Sequence, residues 1–136
     1  MGWVKIGGRD FNVLVTELSE NFNILYSENT GRTMSQGAKM TLDPLGTFYG
    51  HKITFQRKMG YEKDYDDLFE LVSKPRYSGI LVEIVHGQST ISYEAYISNG
   101  ERALKRIDEK SGKVYWDNFT VNIIPMEAQV TPEWQA

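Results

Sequence analysis

Residues 79–97 read GILVEIVHGQSTISYEAYI, and this stretch decides the class of fold. Apolar side chains recur at every second position on both sides of Gly87-Gln88, as expected of two strands that are each buried on one face. A glycine at the first position of a two-residue loop is typical of a type II′ turn, which joins antiparallel strands. The turn also fixes the register of the hairpin. The predicted cross-strand pairs are Ile84–Ile91, Val82–Tyr93 and Ile80–Ala95.

The opposite face of this hairpin is polar. A shift of one residue in the register would turn Glu83 into the core, so the turn and the alternating pattern support the same pairing. The residues predicted on the polar face are Glu83, Thr90, Ser92 and Glu94.

The sequence predicts a single α-helix at about residues 64–74. Its apolar residues are spaced at i, i+3, i+4 and i+7, which forms one stripe along a helix. Asp64 is expected to cap the first turn, and Pro75 to end the helix after Lys74. A helix of about 10 residues is not stable alone in water, so we expect it to pack on the sheet. The stripe consists of Tyr65, Leu68, Phe69 and Val72.

The remaining apolar segments predict further strands. A glycine pair at 7–8 indicates an N-terminal hairpin, and a proline followed by a glycine indicates a turn near residue 44. The predicted segments are a hairpin of residues 3–6 and 11–15, a break at 18–21, strands at 22–26 and 48–58, and a turn at 43–46.

Two long loops and a tail complete the predicted organisation. Residues 27–37 and 99–112 lack the pattern of a helix or strand, and residues 126–136 are expected to form a C-terminal tail. We therefore predict a mainly β domain over residues 1–125, either an antiparallel β-sandwich or a partly open barrel, with one flanking helix. Loops of this length in a small domain are commonly functional.

Composition restricts the classes of function. The chain has 136 residues, no cysteine and a net charge of −3. No apolar run approaches the roughly 18 residues needed to cross a bilayer, and the negative charge disfavours general attraction to nucleic acid. We expect neither a membrane protein nor a specific nucleic-acid binder.

No pattern of residues predicts catalysis, a metal site or a cofactor. His51 and His86 fall on separate predicted strands, and we expect them on the surface. The basic residues Arg102, Lys105 and Arg106 are the strongest candidates for nucleic-acid contact, but neighbouring acidic residues favour a solvated loop.

Apolar residues cluster where the first loop ends, and they have two interpretations. They could cap one end of the core, or they could contact another protein, since such residues are costly to leave in water. The second interpretation is favoured because the loop offers little to fold on. These residues are Met34, Met40, Leu45, Phe48 and Tyr49.

Three segments resemble a known family. Residues 26–34 (YSENTGRTM), 43–49 (DPLGTFY) and 116–125 (WDNFTVNIIP) resemble small tail proteins of long-tailed phages and prophages of Gram-positive bacteria. The order of strands, one helix, a hairpin, a long loop and a last strand is similar to the tail-tube and distal-tail superfamily.

The resemblance implies a structural protein of the virion tail, made in the bacterial host cytoplasm, that forms hexameric rings. Its implied partners are copies of itself and other tail proteins, such as tube, tape-measure or distal-tail proteins. It also implies a lumen lined by acidic side chains that repel DNA phosphates. The implied subunit-contact loop contains Glu28, Asn29, Arg32, Met34, Leu45 and Tyr49, and the implied lumen-facing residues are Glu83, Ser92 and Glu94.

The alternative is a monomeric small β-barrel that binds a sugar, a peptide or single-stranded nucleic acid. A barrel that binds single strands is expected to carry a basic groove with stacking aromatic residues. The negative net charge weighs against that variant.

Overall fold

A computed structural model of the protein describes residues 4–28, 30–32 and 37–132. Over these residues the chain is mainly β with one helix, and all its strand pairs are antiparallel, which confirms the predicted fold class of a β-sandwich with a flanking helix. The elements are β1 (Val4–Ile6), β2 (Val13–Tyr26), β3 (Gly31–Arg32), β4 (Met40–Thr41), β5 (Pro44–Arg57), α1 (Glu62–Ser73), β6 (Ile80–His86), β7 (Ser89–Tyr96), β8 (Gly100–Glu101), β9 (Leu104–Asp108), β10 (Lys113–Trp116) and β11 (Phe119–Pro125).

The main sheet has the strand order β1-β6-β7-β11-β5-β2. Strand β11 holds the two halves of the sheet together because it changes partner along its length. Residues 119–123 pair with β5, whereas Ile124 and Pro125 pair with β7. The short strand β8 pairs with β11 on the edge opposite β5.

The hairpin of β6 and β7 has the predicted register. Gly87 has a φ of +60°, which is the left-handed region that a II′ turn requires at its first position. The apolar face of the hairpin lies in the core, where Val82 and Ile84 are fully buried. The observed pairs include Ile84–Ile91, Val82–Tyr93 and Ile80–Ala95.

Helix α1 packs its predicted stripe on the core, with Tyr65, Leu68 and Val72 buried. It begins at Glu62, so the prediction that Asp64 caps it is wrong. The Asp64 carboxylate instead accepts a hydrogen bond from the backbone N–H of Asn12, at 2.8 Å. The helix ends as predicted, because Lys74 is already extended before the proline. Over the described residues, no helix is long and apolar enough to cross a membrane.

Three of the smaller predictions near the N-terminus are wrong. The break at residues 18–21 and the turn at 43–46 are both absent, because β2 and β5 are 14-residue strands that pair along their lengths. The predicted turn at residues 7–8 is present, with Ile6 and Arg9 bridged across it, but the two predicted strands do not pair with each other, since β1 pairs with β6 and β2 with β5. Gly46 is needed for a close approach rather than a turn, because a Cβ there would lie 2.5 Å from the Cβ of Ala128.

The predicted loop at residues 99–112 is also wrong, because it contains β8 and β9. Strands β9 and β10 pair as a separate hairpin, whose turn includes Gly112 at a φ of +73°. Between β2 and β5, the loop of residues 27–37 contributes β3, which pairs with β4. Residues 126–130 of the predicted tail lie against the sheet, with hydrogen bonds to β7 and β5.

Candidate functional site

The longest open edge of the main sheet is strand β2. It pairs with β5 on one side and is the terminal strand of the sheet on the other. Its 14 residues extend about 46 Å at roughly 3.3 Å per residue. The peptide groups that point away from β5 therefore form a template for another strand. Proteins usually make such edges short or heavily charged, whereas β2 carries only two charged residues, Glu17 and Glu20.

Large apolar side chains are exposed where β2 and β5 extend beyond the core. We call residues 20–26 of β2 and 44–50 of β5 the distal ribbon. Strand β11 stops pairing with β5 at residue 51, so the distal ribbon projects past it. Phe22 is 68% exposed and Leu45 is 51% exposed. An exposed apolar surface of this kind is a candidate contact surface.

The other side of the distal ribbon is closed by the chain itself. The backbone N–H of Thr47 donates to the carbonyl of Val130, at 2.8 Å. The side-chain amide of Gln129 both accepts from the Tyr49 N–H and donates to the Tyr49 carbonyl, at 3.0 and 2.9 Å. The segment after β11 thus occupies the inner edge of β5, whereas no strand among residues 4–28, 30–32 and 37–132 pairs with the outer edge of β2.

A polar network around the buried His51 links the base of the distal ribbon to the rest of the sheet. The carboxylate oxygen Oε2 of Glu20 accepts from His51 Nε2 at 2.8 Å and from His86 Nδ1 at 2.7 Å. The other ring nitrogen of His51 lies 2.7 Å from the Tyr93 hydroxyl. His51 is only 1% exposed, so the prediction of a surface histidine is wrong for this residue.

The network favours a neutral His51. Burial lowers the pKa of His51 and outweighs the opposing effect of the hydrogen bond to Glu20. A neutral ring that donates from Nε2 leaves Nδ1 free to accept from the Tyr93 hydroxyl. Partial burial raises the pKa of Glu20, but the hydrogen bonds from His86 and His51 lower it further, so the net shift is downward.

Tyr49 and the network connect the ribbon to the end of the β6–β7 hairpin. The Tyr49 ring lies 4.8 Å from the His86 ring, centroid to centroid. Tyr49, predicted as a subunit-contact residue, is therefore half-buried at the base of the ribbon. Glu20, His51 and His86 lie on β2, β5 and β6. Their hydrogen bonds therefore connect the base of the ribbon to the β6–β7 hairpin.

The other predicted contact residues fall at or near the ribbon's far end. Leu45 is exposed on β5, and Glu28 is exposed two residues after β2. Arg32 lies on β3, where its Nη1 donates to the carbonyl of Ala38 at 3.4 Å. Asn29 and Met34 lie outside the described residues. Their role in subunit contact remains a prediction.

The predicted lumen-facing residues lie together on the outer face of β6 and β7. Glu83 and Ser92 are a direct cross-strand pair, and the Thr90 hydroxyl donates to Glu83 at 3.3 Å. Glu94 is exposed on the same face. That face also carries Leu81, which is 54% exposed, so it is less polar than predicted. Whether it lines a lumen remains a prediction.

The predicted solvated loop of basic residues is wrong for Arg102. Its guanidinium lies 4.1 Å from the centre of the Phe69 ring and 4.3 Å from that of Trp116. It also pairs with Asp66 at 2.9 Å. Arg102 therefore fixes the base of the β9–β10 hairpin against α1, while Lys105 is exposed.

A cleft of about 450 Å³ lies between the C-terminal end of α1 and strands β7, β8 and β11. Its floor includes Val72, Ile80 and Phe119, and Lys74 and Arg76 lie on its rim. Its size falls within the range of small-molecule sites.

Over the described residues, no group of three or more histidine, aspartate or glutamate side chains is arranged to hold a metal ion.

Sequence reasoning missed Glu20, because it placed this residue in a break between strands. Leu18, Glu20 and Phe22 are spaced two residues apart, as side chains on one face of a strand are. This spacing indicates one continuous strand whose Glu20 lies on the same face as Leu18. Pairing β2 with β5 then sets Glu20 directly opposite His51.

No protein-family model matches this chain, and no curated protein matches it.

Proposed function

We propose that this protein is a structural subunit of a phage or prophage tail, which assembles with copies of itself into rings that stack on other tail proteins. The observation that carries the proposal is the open, 14-residue edge of β2 and its exposed apolar side chains. The resemblance of the three sequence segments supplies the biological setting. The proposed role depends on self-association and involves no catalysed reaction.

The exposed edge is costly in free energy for an isolated chain. Burying an apolar side chain of this size contributes about 1.5–3 kcal/mol, and the distal ribbon leaves several in water. An unpaired edge also exposes peptide groups that another strand satisfies. Both costs are offset when a second subunit covers the ribbon, so association fits this surface better than an isolated monomer does. The exposed apolar residues of the ribbon include Phe22, Ile24, Leu25, Tyr26 and Leu45.

The polar network supports the proposal because its hydrogen bonds link the base of the ribbon to β5 and β6. A projecting pair of strands that pivots freely would lose conformational entropy on binding. The links from Glu20 to His51 and His86 reduce that loss by holding the ribbon in one direction.

A binding module remains the second candidate, and the cleft beside α1 favours it. The apolar floor and cationic rim of the cleft suit a small ligand with an apolar body and a negative group. In this alternative the protein works as a monomer.

Light scattering over a concentration series separates the two functions. We expect the mean mass of the protein to rise above that of one 15.6 kDa chain as concentration increases. Phe22→Ser should reduce the association, while the matched control Tyr77→Ser removes another exposed aromatic outside the ribbon and should not. A mass that stays at one chain across the series would refute the assembly proposal and leave the binding module.

A further inference from the structure

The β9–β10 hairpin is a second surface whose edges are open. It forms a two-stranded sheet apart from the main sheet. Ile107 and Val114 face each other across it and are 55% and 42% exposed, and Leu104 is 49% exposed. We call residues 104–116 the basic hairpin, because they contain four lysine and arginine residues and two acidic residues.

The basic hairpin is fixed to the body of the protein at its base. Arg57 Nη1 donates to the carbonyl of Trp116 at 3.2 Å, and the Arg57 guanidinium lies 4.9 Å from the centre of the Tyr115 ring. Arg106 lies over the same ring, at 4.4 Å. The contacts of Arg57 and Arg102 hold the hairpin in place and leave its outer apolar pair exposed.

The charges of the basic hairpin complement those of the β2 edge. Residues 10–30, which contain β2, include four acidic residues and neither lysine nor arginine. Glu17 is exposed on β2, and Lys105 is exposed on β9. Neither has an ion-pair partner over the described residues. Two β2 edges facing each other would bring acidic residues together, whereas β2 against the basic hairpin pairs opposite charges.

The β2 edge and the basic hairpin are two different surfaces of the chain. In the half of the sheet ordered β2-β5-β11-β8, strand β2 is one edge and β8 is the other. The basic hairpin continues from β8. When the β2 edge of one copy contacts the basic hairpin of another, unlike surfaces meet and the copies join head to tail, and repeated contacts of that kind generate a closed ring or an open filament.

We propose that the β2 edge of one subunit docks on the basic hairpin of a second copy of this chain. Glu17 and Lys105 contribute opposite charges, and Ile107 and Val114 contribute apolar contact. This inference rests on the proposed self-association, since it names the two surfaces that meet. It requires one contact type that is repeated from subunit to subunit.

Charge reversal tests the docking. Glu17→Lys and Lys105→Glu should each weaken self-association by about tenfold, because each sets like charges against each other. Mixing the two variants should restore association. In the mixture, every contact between unlike variants again joins opposite charges, either Glu17 with Lys105 or the reversed pair. Ile107→Ser should also weaken association, with Tyr77→Ser as the control.

The outcomes separate this inference from the proposed function. If the wild-type protein stays monomeric, both fail. If it associates and Lys105→Glu and Ile107→Ser associate like wild type, the assembly proposal stands and docking on the basic hairpin is refuted. Association that is weakened by each charge variant but not restored by mixing also overturns the inference. Each variant is first compared with wild type in its denaturant midpoint, and a variant that does not fold is replaced by the alanine substitution at the same residue, which should weaken association in the same direction.

Discussion

The β6–β7 hairpin and the distal ribbon are both antiparallel strand pairs with alternating apolar residues, but they place those residues differently. In the hairpin, Val82 and Ile84 are fully buried in the hydrophobic core. In the ribbon, Phe22 and Leu45 are mostly exposed. An alternating pattern therefore indicates that one face of a strand is apolar. It does not show whether the same chain or another molecule buries that face.

The difference matters because the apolar residues of the ribbon contribute little to the stability of one chain. Covering them by a second subunit would stabilise an assembly instead. Substitutions in the core and in the ribbon should therefore differ in their effect on the stability of one chain.

The largest effect is expected for Phe119→Ala in the core. The Phe119 ring packs against three other aromatic rings at centroid distances of 5.2–5.4 Å, and it is fully buried. Removing it leaves a cavity and should lower the free energy of unfolding by about 3–5 kcal/mol. Urea denaturation monitored by tryptophan fluorescence measures this loss. A loss below about 1 kcal/mol would contradict the assignment of the core.

The next effect is expected for His51→Leu at the base of the ribbon. The substitution leaves the buried Tyr93 hydroxyl without its partner and removes one of the two links to Glu20. We expect a loss of about 1–3 kcal/mol in the same assay. His86→Leu is the matched control, because its side chain is 35% exposed and its removal should cost less. Equal losses would show that burial of the network is not what stabilises it.

A smaller effect is expected for Gly46→Ala on the inner edge of β5. A Cβ at this position would lie 2.5 Å from the Cβ of Ala128, so the segment after β11 must move. We expect a loss of about 1–2 kcal/mol and faster amide exchange at Gln129 and Val130. Ala128→Gly in the same chain should recover part of the stability, since it removes the opposing methyl group. Full additivity of the two changes would contradict the close approach.

Acidification should weaken the fold through the same network. His51 has a lowered pKa in the folded chain, so the unfolded chain takes up a proton first as pH falls below about 6.5. Stability is therefore present above that pH and is lost as pH falls through the folded pKa. Glu20, whose pKa is also lowered, adds a further loss below about pH 4.5. Thermal midpoints between about pH 7 and about pH 5 should fall less in His51→Leu than in wild type. An equal fall of the thermal midpoint in wild type and His51→Leu would show that His51 does not cause the loss of stability.

The smallest effect on stability is expected for Phe22→Ser in the ribbon. Its side chain is 68% exposed, so the free energy of unfolding at low protein concentration should change by less than about 0.5 kcal/mol. The comparison with Phe119→Ala is then sharp, because one aromatic residue supports the monomer and the other does not. A loss similar to that of a core residue would show that the ribbon belongs to the folded core.

Local chemistry made part of the fold predictable. The glycine at residue 87 selects the turn, and the turn sets the register of β6 and β7. Pro75 excludes a helical Lys74 and so ends α1. In both cases the decisive interaction lies within a few residues of the sequence.

Contacts distant in sequence explain what the sequence did not reveal. Gly46 resembles a turn residue, yet it accommodates Ala128, more than 80 residues later. Glu20 becomes part of a site only because β2 pairs with β5 and brings it opposite His51. Arg102 is charged and would suit a solvated loop, but α1 and β10 supply the aromatic rings that hold it.

Hydrogen–deuterium exchange at low and high protein concentration tests the central claim most directly, namely that a second subunit completes the β2 edge. The account predicts that amides of residues 13–26 become more protected as concentration rises, while those of β6 and β7 change little. Exchange across β2 that is the same at every concentration, in samples whose mass shows association, would contradict it.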